Sequence, residues 1–206
     1  MQLRDSIKRT GIVVGVALLL SMAAAVAQQE DRSEISVLGT GFFTKDTGGN
    51  GIEQHATETG GFLLGYRYNI NRWLSAEANY GYDRNTQIYF GGAASRVQSN
   101  IHQITGSAVV KLPSLARLQP YALAGGGGLV FDPTGNAGGS FAGATRVTQG
   151  AFVYGVGGDY AFTRHFSLRA EYRGYVYKAP DFDLTGLNTN TWTHTAVPSA
   201  GIVFRF

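Results

Sequence analysis

Apolar and polar residues alternate along most of the chain beyond residue 30. The clearest stretch is residues 166–176, where every second position is apolar and Arg169, Glu171 and Arg173 lie between them. Because successive side chains of a β-strand point to opposite faces, this stretch predicts a strand with one apolar and one polar face. Beyond the N-terminal segment, no apolar stripe of helical period is sustained.

Eight segments follow this pattern and predict an all-β fold. Their predicted ranges are 33–44, 58–69, 73–84, 97–111, 119–131, 147–160, 165–177 and 192–206. Short turns alternate with longer connections rich in Gly, Thr, Asn and Asp, which are about residues 45–57, 85–96, 132–146 and 178–191. Short turns on one side and long loops on the other are typical of outer-membrane β-barrels. An even number of strands then puts both termini on the short-turn side.

The first 27 residues have the features of a secretory signal peptide. Basic residues, among them Lys8 and Arg9, precede a short apolar run that ends in Ala25-Val26-Ala27, as a cleavage site requires. An N-terminal membrane anchor is the alternative, but the run is short for a span of about 20 residues. The sequence therefore predicts a signal peptide over 1–27 and one mature domain over 28–206.

Composition narrows the class of protein. Only 15% of the residues are charged, against about 25% in soluble domains. With 12 Phe and 11 Tyr, the chain has too much apolar side-chain area to remain disordered. Much of the formal charge of +3 comes from the predicted signal peptide, and the other Lys and Arg residues are spread singly. Nucleic acid is therefore not expected as a partner.

A soluble barrel would alternate as well, and three further features favour a membrane barrel. First, the polar face consists mainly of Gly, Ser, Thr and Asn with a few Arg and Glu, which suits the narrow interior of an eight-stranded barrel. Second, aromatic residues near strand ends on the apolar face are expected to form girdles at the membrane interfaces. These are Tyr66, Tyr68, Tyr80, Tyr82, Tyr121, Phe131, Tyr160, Phe166, Phe204 and Phe206.

The third feature is the end of the sequence, Ala-Gly-Ile-Val-Phe-Arg-Phe at residues 200–206. It resembles the C-terminal assembly signal of outer-membrane barrels. The resemblance implies that the signal is carried by Ile202, Phe204 and Phe206.

Residues 60–68, 74–80 and 166–173, together with this ending, resemble bacterial outer-membrane β-barrel domains of the outer-membrane protein A and X type. The resemblance covers residues 28–206. It implies an eight-stranded antiparallel up-and-down transmembrane β-barrel without a peptidoglycan-binding domain. It also implies outer-membrane lipid and lipopolysaccharide as surroundings, and periplasmic chaperones and the barrel-insertion machinery as partners during assembly.

Charged residues on the predicted inner face are candidates for a plug or a gate. They are Arg67, Glu77, Asp159, Arg169, Glu171 and Arg173. If Arg67 pairs with Ser75 across the first short turn, Glu77 lies diagonal to Arg67 and within reach. An equivalent register at the third short turn puts Asp159 diagonal to Arg169. Because an unpaired buried charge is costly, these residues are expected to pair, either as a permanent ionic plug or as a gate whose pairs switch partners.

These patterns predict a monomeric integral outer-membrane protein with a structural or surface-interaction role through its long loops. A narrow channel for ions or small solutes is the alternative. A lipid A-modifying enzyme is a third possibility, because His165, Ser167 and Glu171 are the residue types of a hydrolytic triad. However, Leu168 follows Ser167 where lipid A deacylases have Asn. An enzyme activity is therefore not expected. The other His residues, His55, His102 and His194, are scattered, so neither a metal site nor a cofactor is expected.

Overall fold

Ten antiparallel β-strands make up most of the part of the chain that the structure describes. The computed structural model describes residues 32–90, 95–134, 145–182 and 189–206, among which no helix forms. The strands are β1 (Ser33–Thr44), β2 (Thr47–Gly49), β3 (Ile52–Ala56), β4 (Thr59–Asn69), β5 (Leu74–Phe90), β6 (Ser95–Lys111), β7 (Leu118–Pro133), β8 (Val147–Ala161), β9 (Phe166–Lys178) and β10 (Trp192–Arg205). The predicted signal peptide, residues 1–27, lies outside the described residues.

Eight of the strands close into a barrel. Their order around the ring is β1, β4, β5, β6, β7, β8, β9 and β10, and β10 pairs with β1 to close it. Each of them is bonded to its sequence neighbours in the ring, which is an up-and-down topology. The predicted fold class is confirmed. Within the described ranges, no helix is long and apolar enough to cross a membrane.

The first long connection is not the loop that the sequence predicts over residues 45–57. β2 and β3 form a small hairpin there, and β3 pairs with the far end of β5. β5 accordingly runs to Phe90 instead of ending near residue 84. Its extension begins with polar residues at 85–87 and ends with Ile88, Tyr89 and Phe90. β3 on one side and β6 on the other bond its backbone.

The outward-facing side chains form an apolar band. Among its exposed members are Ile35, Val37, Leu64, Ile104, Phe152, Val156, Leu168 and Ile202. Tyr66, Tyr80, Tyr160, Phe166 and Phe204 face outward with them, as predicted. Such a band, with rings near its borders, is the surface that a lipid bilayer requires.

Two of the predicted girdle residues, Tyr121 and Phe131, are wrongly assigned. They are only 1% and 0% exposed and point into the barrel. On β7 they share a face with Leu123 and Leu129, which are also buried. Both faces of β7 are rich in apolar residues, so its alternation does not tell which face lies inside.

Candidate functional site in the barrel interior

Charged side chains are concentrated in the half of the interior nearest the short turns. We call Glu34, Arg67, Glu77, Asp159, Arg169, Glu171 and Arg173 the ionic cluster; all seven are at most 5% exposed. The six residues predicted from the sequence are therefore brought together, and Glu34 joins them. Lys111, Tyr121 and Arg205 border the cluster, so that every barrel strand contributes a side chain to this layer.

Two hairpins supply the centre of the ionic cluster. Arg67 on β4 lies directly opposite Glu77 on β5, and its Nε donates to Oε2 at 2.5 Å. Arg169 on β9 lies opposite Asp159 on β8, and its Nε and Nη2 donate to Oδ1 and Oδ2 at 2.7 and 2.8 Å. The second pair is a bidentate arginine–carboxylate contact, the most directional kind of ion pair.

Both predicted registers are wrong, because each turn takes up more residues than expected. In the first turn, the N–H groups of Ile70 and Asn71 both donate to the carbonyl oxygen of Leu74. The last paired residues are therefore Asn69 and Ser75. The turn after β8 repeats this arrangement. The register moves by two positions in each hairpin, which turns the predicted diagonal contacts into direct cross-strand pairs.

Contacts across the bore join the two hairpins. In the ring of eight strands, β4 lies opposite β8 and β5 lies opposite β9. Nη1 of Arg67 is 3.4 Å from Oδ2 of Asp159, and Nη1 of Arg169 is 3.4 Å from Oε2 of Glu77. Arg173 also reaches across to donate to Glu77. Since side chains from opposite walls are in contact, the ionic cluster closes the bore at this level.

Glu34 extends the ionic cluster toward the short-turn end and is not among the residues predicted from the sequence. Its Oε2 accepts a hydrogen bond from Arg169 at 3.1 Å, and its Oε1 accepts one from Arg205 at 3.0 Å. Nζ of Lys111 lies 3.5 Å from the same Oε1. The signal that identifies Glu34 is alternation, because it shares the inward face of β1 with Ser36.

Tyr121 forms one wall of the ionic cluster. Its hydroxyl donates to Oε2 of Glu171 at 2.6 Å, and the guanidinium of Arg67 lies 4.2 Å from its ring centroid. The phenol group of Tyr121 therefore donates a hydrogen bond to a carboxylate, and its ring also stacks against a cation. With Lys111 included, four cations face four carboxylates, so the cluster carries no net charge to be solvated.

An apolar cluster packs inside the barrel toward the long-loop end. Its members there are Phe42, Tyr89, Val97, Ile101, Leu129, Phe131, Ala151, Val153, Tyr175, Tyr177, Phe182 and Val197. Phe131 packs against Tyr177 and Phe182, with ring centroids 5.8 and 6.4 Å apart. The predicted composition of the inner face, mainly Gly, Ser, Thr and Asn with a few Arg and Glu, does not include these apolar side chains, which pack as in a protein core.

A polar stripe runs along the inner faces of β5 and β6. It consists of Asn79, Asn85, Ser99, Gln103, Thr105 and Ser107, each with a buried atom that has no hydrogen-bond partner among the described residues. Asp83 lies within the stripe and accepts hydrogen bonds from Thr40 at 3.2 Å and Gln103 at 2.6 Å. No salt bridge to Asp83 occurs within the described ranges.

The residues considered for a hydrolytic triad do not converge. Ser167 and Glu171 are buried in the interior, whereas His165 is exposed at the turn, with its ring 6.4 Å from that of Phe204. Glu171 is bonded to Arg173 and Tyr121 rather than to a histidine. The described residues also contain no group of three His, Asp or Glu side chains that could hold a metal ion.

The predicted assembly-signal residues lie where the barrel closes. Ile202 and Phe204 face outward, with exposed fractions of 50% and 40%. The ring of Phe204 is 5.2 Å from that of Phe166 and 5.7 Å from that of Phe206. Phe206 exchanges two backbone hydrogen bonds with Ser33 at the start of β1. The last residue thus takes part both in ring closure and in an outward aromatic cluster.

We expect Phe206→Ala to lower the fraction of protein that assembles in the membrane severalfold, because it removes the terminal ring from this cluster. The measurement is the amount of heat-modifiable, folded barrel in isolated outer membranes. Phe162→Ala is the matched control, since Phe162 is 47% exposed at the same end and stacks on Phe166. Equal assembly of the two variants would contradict a signalling role for Phe206.

Comparison with known proteins identifies a matching family and several similar structures. The family model of the outer membrane protein beta-barrel domain matches residues 12–205, whereas no curated protein sequence matches. The structure resembles OprG from Pseudomonas aeruginosa, with a TM-score of 0.62 and 13% identity, covering 86% of this chain and 97% of that one. Neisserial surface protein A (NspA) gives a TM-score of 0.61 at 16% identity, and the match covers 84% of this chain and 97% of NspA. Ail from Yersinia pestis, solved with the heparin analogue sucrose octasulfate, gives a TM-score of 0.54 at 18% identity. That match covers 86% of this chain and 100% of Ail.

Proposed function

The chain belongs to the outer membrane protein β-barrel domain family, and from this membership we propose that it is a non-conducting barrel that supports the cell envelope or presents a surface through its long loops. The observation that supports this proposal is the presence of packed side chains in both halves of the interior. The ionic cluster spans the bore in one half, and the apolar cluster packs within the other. Eight strands leave an interior that side chains just fill.

Opening the ionic cluster would be costly. Each carboxylate is held by at least two donors from different strands, so a single pair cannot swing aside alone. A buried charge left without its partner is destabilising by several kcal/mol. This argues for a permanent plug over a gate. The apolar cluster would also have to separate before an ion could cross the barrel.

The proposal includes an orientation and partners. We infer that the short-turn end and both ends of the mature chain face the periplasm and that the long loops face outward, in keeping with the alternating connection lengths. Lipid and lipopolysaccharide would contact the apolar band, and periplasmic chaperones and the insertion machinery would act during assembly. Ring closure leaves no free strand edge in the barrel wall for pairing with another copy, which supports a monomer.

The charges at the long-loop end bear on what the loops bind. Among the described residues, the long-loop end carries equal numbers of cations and carboxylates. The cations are Lys45, Arg84, Arg96, Arg146 and Lys178, and the carboxylates are Asp46, Glu53, Glu58, Asp132 and Asp181. Five cations and five carboxylates leave no excess positive charge to attract a sulfated sugar. A heparin analogue is bound by Ail, but this balance does not favour the same class of ligand here.

The polar stripe favours a second candidate, a narrow path for ions or small solutes. Its unpartnered polar atoms lie on one wall, from Ser107 near the ionic cluster to Asn85 and Ser99 beyond Asp83. A polar wall of this kind can be hydrated. Asp83 would give such a path a preference for cations.

Planar-bilayer recording of the purified, folded protein separates the two candidates. We expect no reproducible conductance steps, with heat-modifiable migration on gels verifying the fold and protease protection verifying insertion. Stable steps in the wild type would overturn the non-conducting proposal. In that case Asp83→Asn tests the second candidate, because a path along the polar stripe would then lose cation preference, while Asp132→Asn at the long-loop end would change it less.

A further inference from the structure

A basic cavity opens at the short-turn end of the barrel, below the ionic cluster. Its volume is about 630 Å³, and it is bounded by the turns after β4 and β6 and by the short-turn ends of β8, β9 and β10. Five cationic side chains line this mouth cavity, and the single carboxylate among the lining residues is Asp159. The cations are Arg32, Arg72, Lys111, Arg117 and Arg205.

The carboxylates near the mouth cavity are already engaged in ion pairs. Asp159 is held by the bidentate contact from Arg169, and Glu34 pairs with Arg169 and with two of the lining cations, Lys111 and Arg205. In contrast, the side chains of Arg32 and Arg117 make no hydrogen bond or ion pair with any described residue. The cavity therefore carries positive charge that the described residues do not balance.

The excess of positive charge is found only at this end of the described part of the molecule. Among the described residues, every Asp and Glu side chain that is not buried lies at the long-loop end, namely Asp46, Glu53, Glu58, Asp132 and Asp181. Arg164 adds a further exposed cation at the short-turn end. Glu30 and Asp31 precede Arg32 in the sequence and lie outside the described residues. A concave, one-sided cationic surface concentrates anions, since its field is focused into the cavity.

Backbone hydrogen bonds hold the two unengaged arginines at the rim. The carbonyl oxygen of Arg32 accepts a bond from the N–H of Asn69 at 2.8 Å. The carbonyl oxygen of Arg117 accepts one from the N–H of Ala161 at 2.9 Å. Each arginine is thus fixed to a neighbouring strand, so its guanidinium extends from an ordered base rather than from a free tail.

We propose that the mouth cavity binds a phosphate-bearing anion. Guanidinium groups match phosphate oxygens in a bidentate geometry, and the cavity is as large as ordinary small-ligand sites. The same chemistry has two sources, a soluble phosphorylated solute or the headgroup of an anionic phospholipid in the adjoining leaflet. The proposal does not depend on whether the barrel conducts.

Calorimetric titration of the full-length protein in nonionic detergent at low salt, with tripolyphosphate as the probe, tests the proposal. We expect saturable binding that becomes at least tenfold weaker in Arg32→Gln/Arg117→Gln. Neither arginine belongs to the ionic cluster, so the variant should fold, and heat-modifiable migration verifies that it does. Arg84→Gln/Arg96→Gln removes the same charge at the long-loop end and should keep the wild-type affinity within twofold. No binding by the wild type, or an equal loss in both variants, overturns the proposal.

Lipid nanodiscs identify the source of the anion. The titration is repeated in discs of phosphatidylcholine and in discs containing phosphatidylglycerol. Loss of tripolyphosphate binding in the phosphatidylglycerol discs alone supports a lipid headgroup as the occupant. Equal binding in both discs supports a soluble anion. Binding in either disc that Arg32→Gln/Arg117→Gln leaves unchanged overturns the site.

Discussion

Glu77→Ala is expected to lower the free energy of unfolding by about 3–5 kcal/mol. Glu77 accepts hydrogen bonds from Arg67, Arg169 and Arg173, which come from two different strands. With Lys111 included, removing Glu77 leaves four buried cations facing three carboxylates, so one positive charge has no counter-charge. Urea unfolding of the detergent-solubilised barrel, followed by tryptophan fluorescence, measures the change.

Glu53→Ala is the control for that experiment. Glu53 is an exposed glutamate on β3, outside the barrel wall, and an exposed substitution changes stability by about 0.5 kcal/mol or less. A second variant, Glu77→Ala combined with Arg173→Met, should recover part of the loss, because it removes one cation and restores the balance of charge. Coincident unfolding midpoints for Glu77→Ala and Glu53→Ala would show that the ionic cluster does not stabilise the fold.

Alternation made the barrel and much of its interior predictable. On β9, whose two faces differ sharply, residues 167–173 are assigned to the correct faces from sequence. Register was not predictable in the same way, because it depends on how the turn closes. The hydrogen bonds that Ile70 and Asn71 make to Leu74 set the pairing of Arg67 with Glu77, and no side-chain pattern reports them.

The apolar half of the interior was missed for a different reason. In a membrane barrel an apolar side chain is stable on either face, against lipid or within a packed core, so hydrophobicity alone does not give direction. Phe131 follows Leu129 on one face of β7, while Ala122 and Ala124 occupy the other. Direction follows only from the neighbours inside the barrel, and these come from β9 and from residue 182, far along the chain.

Phe131→Ala is expected to lower the free energy of unfolding by about 3–5 kcal/mol, the usual cost of opening a cavity in a packed core. Phe131 is fully buried against Tyr177 and Phe182, and the same urea unfolding measures the loss. Phe152→Ala is the matched control, because Phe152 is 55% exposed on the outward face and lipid chains can fill the space that its ring leaves.

The two variants distinguish a packed core from an aqueous bore. In a bore, water would fill the space left by Phe131, so the variant would unfold like Phe152→Ala and would raise conductance. A large loss of stability in a barrel that stays silent would mean that the apolar cluster closes the long-loop half as the ionic cluster closes the other.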